Sequence, residues 1–190
     1  MAKKDCKIII EEAAKELFCK YGFKRISIED VCNKAGISRK TFYTYYDNKL
    51  DLLTCILTHI NNNVKEQISN IIDKDMSFVE KMYQISEYNI SQLETISDEF
   101  LADMRDSSMK VLKDYFDEIS REKKESQLQL FLEAQKNGDV RSDLDPNFMQ
   151  LYVATTMALH DSPEFLAIYS DKYQLLRELS KMLLYGMAAR

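Results

Sequence analysis

Apolar residues recur at spacings of three and four along most of this 190-residue chain, and no segment alternates cleanly in the manner of a strand. The pattern predicts an all-α protein. Ile10, Ala13, Ala14, Leu17, Phe18 and Tyr21 share one face of a helix over about Lys4 to Tyr21, which Gly22 ends. Ser27 is followed three residues later by Asp30, an acidic variant of the capping box. It opens a short helix through Val31 and Cys32 to Ala35. Gly36 breaks that helix, and Ser38 caps a third that the spacing carries to near Asp47. Two short helices around a tight glycine turn, the second of them basic, make a helix-turn-helix signature.

A longer helix is predicted from Leu50, with Leu53, Ile56, Leu57, Ile60, Val64, Ile68 and Ile71 in register. Ser77 and Glu80 form a second capping box, and a short segment follows over Ser97 to Arg105. Another long helix is expected from Ser107 to Asn137, stopped by Gly138. Asp145-Pro146 and Ser162-Pro163 are start signals, with proline at the first helical position. A last helix spans about Asp171 to Ala188, with Leu176, Leu179, Leu183 and Met187 as its stripe. The expected architecture is a three-helix head over residues 1–49 and a larger helical body over residues 50–190, about nine helices together.

Charge sharpens this division. Residues 1–50 hold 11 Lys/Arg against 7 Asp/Glu, whereas residues 51–190 hold 15 against 24. A basic head on an acidic body suits a head that meets a polyanion. No run approaches the roughly 18 apolar residues of a membrane span. The first twenty residues carry charge throughout and offer no signal-peptide cleavage pattern, so the expected location is the cytoplasm. The cysteines, Cys6, Cys19, Cys32 and Cys55, lack C-x-x-C spacing and read as ordinary thiols. Cys55 and His59 stand one turn apart, but no further ligand lies nearby in sequence, so neither a metal nor a cofactor is expected. His59 and His160 are far apart, and no nucleophile elbow, phosphate loop or paired-histidine motif occurs; the chain does not read as an enzyme.

Four aromatic rings crowd into Phe42–Tyr46 behind the basic pair Arg39 and Lys40. On a helical wheel Phe42 and Tyr46 point into the head. Lys40 and Thr44 point nearly opposite, with Thr41 and Tyr43 on the flanks. A helix in the major groove needs short donors, a cation for guanine or phosphate, and flat side chains for sugars and thymine methyls. Phe42 and Tyr46 then serve the core, and Tyr43 and Tyr45 serve DNA.

Ala13 through Lys49 resembles the DNA-binding head of TetR-family transcriptional regulators. The positions that carry the resemblance are Phe18, Gly22-Phe23, Ala35-Gly36-Ile37-Ser38, Phe42-Tyr43, Tyr46 and Lys49. The family usually has Phe where this chain has Tyr46 and a smaller branched residue where it has Phe42. Gly138 to Pro146, "GDVRSDLDP", resembles the family's lead into its penultimate helix. The resemblance implies that Ser27 and Lys49 hold phosphates on either side of the groove. It also implies that Arg39, Lys40, Thr41, Tyr43 and Tyr45 lie at the DNA surface, with Ser38 and Thr44 beside them. Arg39 is the expected base reader, because bidentate Arg to guanine is the commonest specific contact.

The same resemblance implies a homodimer in which about Pro146–His160 and Asp171–Ala188 of each chain pair into a four-helix bundle. Candidate interface residues are Leu151, Val153, Leu159, Leu176, Leu183 and Gly186; packing within one chain would leave the same stripes. The family's bodies usually enclose a small-molecule pocket. Met82, Phe100, Met104, Tyr115, Phe116, Phe131, Tyr152 and Met157 would suit one, and would suit a plain core equally. The expected function is a homodimeric regulator, a repressor that a lipophilic or aromatic effector releases from a palindromic operator. The alternative is a DNA-binding protein of the same fold without an effector.

Overall fold

A computed structural model describes residues 3–106, 110–169 and 171–187. Among them the chain forms ten α-helices: α1 (Lys3–Tyr21), α2 (Ile28–Ala35), α3 (Arg39–Phe42), α4 (Lys49–Ile72), α5 (Phe78–Glu94), α6 (Asp98–Met104), α7 (Lys110–Asn137), α8 (Pro146–Ala158), α9 (Pro163–Leu166) and α10 (Lys172–Met187). A 3₁₀ turn, Leu159–Asp161, joins α8 to α9. Ser107 and Ala188, the expected ends of two helices, lie outside the described residues. No described helix is long and apolar enough to cross a membrane.

The helix starts follow local chemistry. Ser27 and Asp30 complete a reciprocal capping box on α2, and Ser77 and Glu80 make the same pair of bonds ahead of α5. Ser97 caps α6, and the Asp145 carboxylate accepts from the Asn147 and Phe148 N–H groups at the start of α8. Gly36 ends α2 at φ 66°, in the left-handed region where a side chain is strained. Gly22 stops α1 at φ 88°, and a Cβ there would also stand 3.0 Å from the Asp103 carboxylate and 3.2 Å from the Glu99 Cβ.

The chain divides into two compact units. The first comprises Met1–Gln67 with Thr95–Lys113. Its core is filled by Ile10, Ala14 and Phe18 of α1, Phe23 and Ile26 of the following loop, Val31 and Cys32 of α2, Phe42 and Tyr46, and Leu52 and Leu53 of α4. Phe18 meets Phe23 edge to face with ring centroids 5.3 Å apart. α6 packs on α1 in this unit: the Ser97 N–H donates to the Cys19 carbonyl at 2.8 Å, and the Lys24 N–H to the Asp103 carboxylate at 2.9 Å.

The second unit comprises Ile68–Glu94 with Asp114–Arg190. α10 packs along α5 and against α8, burying Leu175, Leu176, Leu179, Leu183, Leu184 and Met187. Ser86 donates to the buried Ser180 hydroxyl at 2.7 Å, and Arg177 bridges Glu87 and Glu94 of α5. A second cluster joins Phe78, Phe131, Ala134, Val140, Met149, Leu183 and Met187, with Met82, Val153 and Met157 packed against it.

Two expectations need correction. The third helix reaches only Phe42, not Asp47, and continues as turns. The Thr44 N–H bonds the Thr41 carbonyl and the Tyr45 N–H the Phe42 carbonyl, both three residues back. Asn48 then opens α4, its side-chain oxygen accepting from the Leu50 and Asp51 N–H groups at 2.9 Å each. Leu176 and Leu183, expected at a subunit interface, instead close the core of their own unit, and Val153 packs against that core.

Candidate nucleic-acid interface

α3 is too short to hold itself. Its position comes from Phe42, fully buried, and from Tyr46, which lies 5.8 Å from Phe42 by ring centroid. Ser38 caps it: the Ser38 hydroxyl accepts from the Thr41 N–H at 3.1 Å and stands 2.9 Å from the Thr41 hydroxyl. With its back fixed, the segment turns Ser38, Arg39, Lys40, Tyr43 and Thr44 to solvent. Tyr43 is 48% exposed although its ring meets Phe42 edge to face at 5.4 Å. Thr41 is half-exposed, and Tyr45 is half-buried beside Cys6. The Thr44 hydroxyl donates back to the Lys40 carbonyl at 3.0 Å. Cations, hydroxyls and one open aromatic ring therefore share a surface whose underside is apolar.

Ser27 and Lys49 are less open. The Ser27 hydroxyl accepts from the Asp30 N–H and donates to the Asp30 carboxylate at 2.6 Å. The Lys49 ammonium donates to the Phe23 carbonyl at 2.8 Å and the Ile26 carbonyl at 2.7 Å, with a longer 3.4 Å contact to the Lys24 carbonyl. It also sits 4.3 Å from the Phe23 ring centroid. Burial lowers its pKa, against the opposing pull of Asp103 and Asp30. In this arrangement Lys49 secures the loop that leads into α2.

The Ser27 hydroxyl, then its N–H, holds the Asp30 carboxyl below the ordinary carboxylate range. A carboxyl whose pKa is depressed by folding stabilises the folded state above its unfolded pKa and loses that contribution as pH falls through its folded value. Acidification below about pH 4 should therefore fray the start of α2 before the rest of the head. Ser27→Ala should remove about 1 kcal/mol at neutral pH and flatten that acid response. Amide hydrogen exchange across Ile28–Ala35 reads both effects; a Ser27→Ala head that frays with acid as the parent does would exclude the cap as its cause.

Tyr46 shows what sequence reading missed. Its hydroxyl donates to the Glu11 carboxylate of α1, and burial together with that carboxylate pushes the phenol pKa up, keeping it a donor. The same carboxylate faces Cys55 and His59 of α4. Glu11 is thus the further ligand-type side chain that the spacing of Cys55 and His59 could not reveal.

The family model described as "Bacterial regulatory proteins, tetR family" matches residues 10–55, which span α1 through the start of α4. Residues 10–55 thus match the head of the TetR family. Among curated relatives, the regulator YhgD of Bacillus subtilis (strain 168) is 28% identical over 80 residues, covering 42% of each chain. YvdT of the same organism is 32% identical over 69 residues, covering 36% of each. Both are named HTH-type transcriptional regulators, and at most 42% of their length is spanned.

Solved structures extend the likeness of fold to the whole chain. FadR from Bacillus halodurans superposes with a TM-score of 0.74 at 19% identity, over 97% of both chains. A TetR regulator from Haloarcula marismortui reaches 0.77 at 15%, over 97% of this chain and 99% of that one. FadR from Bacillus subtilis in complex with stearoyl-CoA gives 0.73 at 20%, over 94% and 98%. The chain thus shares with them the fold of a helix-turn-helix head followed by a helical C-terminal region.

Proposed function

We propose that the chain is a transcription regulator that binds double-stranded DNA through residues 1–49 and dimerises through residues 50–190. It acts as a repressor that a small lipophilic effector releases from a palindromic operator. The observation that carries the DNA reading is the two-sidedness of the α3 segment: Arg39, Lys40 and Tyr43 lie open above the buried Phe42 and Tyr46. Arg39 reads a base, Lys40 and Tyr43 meet the backbone, and Ser38, Thr41, Thr44 and Tyr45 frame them. Ser27 and Lys49 set the flanking loop against the phosphates.

One short helix makes few contacts, so specific binding calls for two heads about 34–36 Å apart. A homodimer is supported by α8 and α10, which pack on each other and each expose large apolar side chains. These are Phe148, Leu151 and Tyr152 on α8, and Met182 and Tyr185 on α10, the last two 73% and 79% exposed. Such a patch marks an association surface. Leu151 and Gly186 are open there, and Leu159 is half-buried.

The stearoyl-CoA complex of the Bacillus subtilis FadR makes long-chain acyl thioesters the first effectors to try. Of the candidate pocket residues, Phe131, Met82 and Met157 gather in one apolar cluster. Phe100 is buried in the other unit, where Met104 is half-buried. Tyr115 meets Phe116 edge to face, and Tyr152 lies outside, stacked on Phe148. Because Phe131 and Met157 fill their cluster themselves, a regulator without an effector is the second reading. A melting temperature raised by an acyl thioester, with weaker operator binding, selects the first; no change in either selects the second.

Selection of bound duplexes from a random pool tests the DNA reading. Arg39→Ala should relax discrimination at one base pair per half-site by roughly tenfold, and Lys40→Ala should lower the salt slope by about one. Equal loss on selected and random DNA would remove Arg39 from base reading. Sedimentation should find a dimer that Leu151→Glu with Tyr185→Glu converts to monomers. A monomeric parent protein would end the dimer proposal.

A further inference from the structure

We propose that Glu11, Cys55 and His59 form a binding site for one thiophilic divalent cation, Zn²⁺ foremost, within the first compact unit. Cys55 and His59 stand one turn apart on the same face of α4, and α1 delivers Glu11 against both. Glu11 Oε2 lies 2.8 Å from His59 Nδ1, Glu11 Oε1 lies 3.5 Å from Cys55 Sγ, and the three ligand atoms all fall within 4.8 Å of one another. Around a tetrahedral Zn²⁺ with bonds of about 2.0–2.3 Å, neighbouring ligand atoms stand about 3.4–3.6 Å apart. Glu11 Oε1 already stands at that separation from Cys55 Sγ, while His59 Nδ1 faces the other oxygen, Oε2. A small rotation of the carboxylate, with the 2.8 Å contact opening by about half an ångström, brings one oxygen into reach of both partners.

The donor set selects the ion. One thiolate, one imidazole and one carboxylate suit Zn²⁺ or Co²⁺, whereas Mg²⁺ and Ca²⁺ call for oxygen throughout. Three protein ligands leave a fourth position for water, and the His59 side chain, 55% exposed, gives the ion a way in. The Cys55 thiol donates to Glu11 when no ion is bound; binding exchanges that proton for the cation and releases it. Lys7 is the charge that opposes the ion: its ammonium lies 3.8 Å from Glu11 Oε1 on a half-exposed side chain and is free to swing to water. The site also touches the recognition segment, because Glu11 accepts the Tyr46 hydroxyl.

The test uses the reduced, untagged, full-length protein titrated with Co²⁺. One equivalent per chain should produce a near-ultraviolet thiolate-to-cobalt charge-transfer band with the visible bands of four-coordinate Co²⁺, and Zn²⁺ should bleach both. Cys55→Ser should abolish the charge-transfer band, and Glu11→Gln and His59→Ala should each weaken binding at least tenfold. Cys19→Ser, two turns further along α1 from Glu11, should leave the spectrum intact. Far-ultraviolet circular dichroism checks that each variant folds. Should Cys55→Ser fail to fold, alkylation of the parent protein mapped by mass spectrometry replaces it: Zn²⁺ should slow modification of Cys55 and leave Cys19 unchanged. Absence of the band in the parent protein, its persistence in Cys55→Ser, or unprotected Cys55 would overturn the site. None of these readouts involves DNA, so they leave the regulator proposal standing or falling separately.

Discussion

Phe42→Ala should destabilise the head by about 3–5 kcal/mol, the largest effect expected of any substitution on the recognition segment. The ring is fully buried and meets both Tyr43 and Tyr46. α3 has four residues, so it gains little from its own hydrogen bonds and takes its position chiefly from this ring, with Tyr46 beside it. Truncation leaves a cavity beneath the segment and frees Arg39 and Lys40 from their common surface. DNA binding should fall with stability although Phe42 itself lies on the far side from the proposed duplex. Phe42→Leu, which fills much of the space, should retain most of both. Calorimetry reads the outcome, and a melting transition of Phe42→Ala within a degree of the parent's would show that α3 is held by something else.

The helix starts were legible because their causes are local. Ser27 with Asp30, Ser77 with Glu80, and Asp145 ahead of Pro146 each satisfy N–H groups within three residues, so spacing alone reveals them. The placement of Phe42 and Tyr46 behind Arg39 and Lys40 was legible for a similar reason, since one turn of helix decides it. The end of α3 was not. Helical spacing continues to Asp47, but the chain tightens after Phe42, and Asn48 caps the next helix just beyond.

α10 shows a second limit. Leu175, Leu176, Leu179, Leu183 and Leu184 are buried while Met182 and Tyr185 are open, so the helix carries apolar residues on more than one side. Periodicity cannot say which side meets its own chain. Glu11 shows a third: it lies 35 positions from Tyr46 and 44 from Cys55, a separation that only the tertiary packing of the first unit closes. Lys49 belongs with it, since a lysine beside a basic surface reads as solvent-facing until its partners are known.

Lys49→Ala is the second substitution expected to have a large effect, and it separates two roles for one cation. The ammonium donates to the carbonyls of Phe23 and Ile26 and lies over the Phe23 ring. Charge-assisted hydrogen bonds contribute about 1.5–3 kcal/mol each when water is excluded. Here the side chain is only half-buried, and solvent screening brings the pair to about 2–3 kcal/mol together. Removing it leaves two carbonyls to find water and loosens the loop that places Ser27 at the head of α2. A structural lock predicts a lower melting temperature, faster exchange across α2 and weaker DNA binding at an unchanged salt slope. A phosphate contact predicts parental stability and a slope lower by about one. Lys49→Met keeps the aliphatic packing without the charge and should lose nearly as much stability as Lys49→Ala, because the carbonyls, not the methylene chain, depend on the ammonium. If Lys49→Met were as stable as the parent, the lock would be refuted and the cation returned to the DNA.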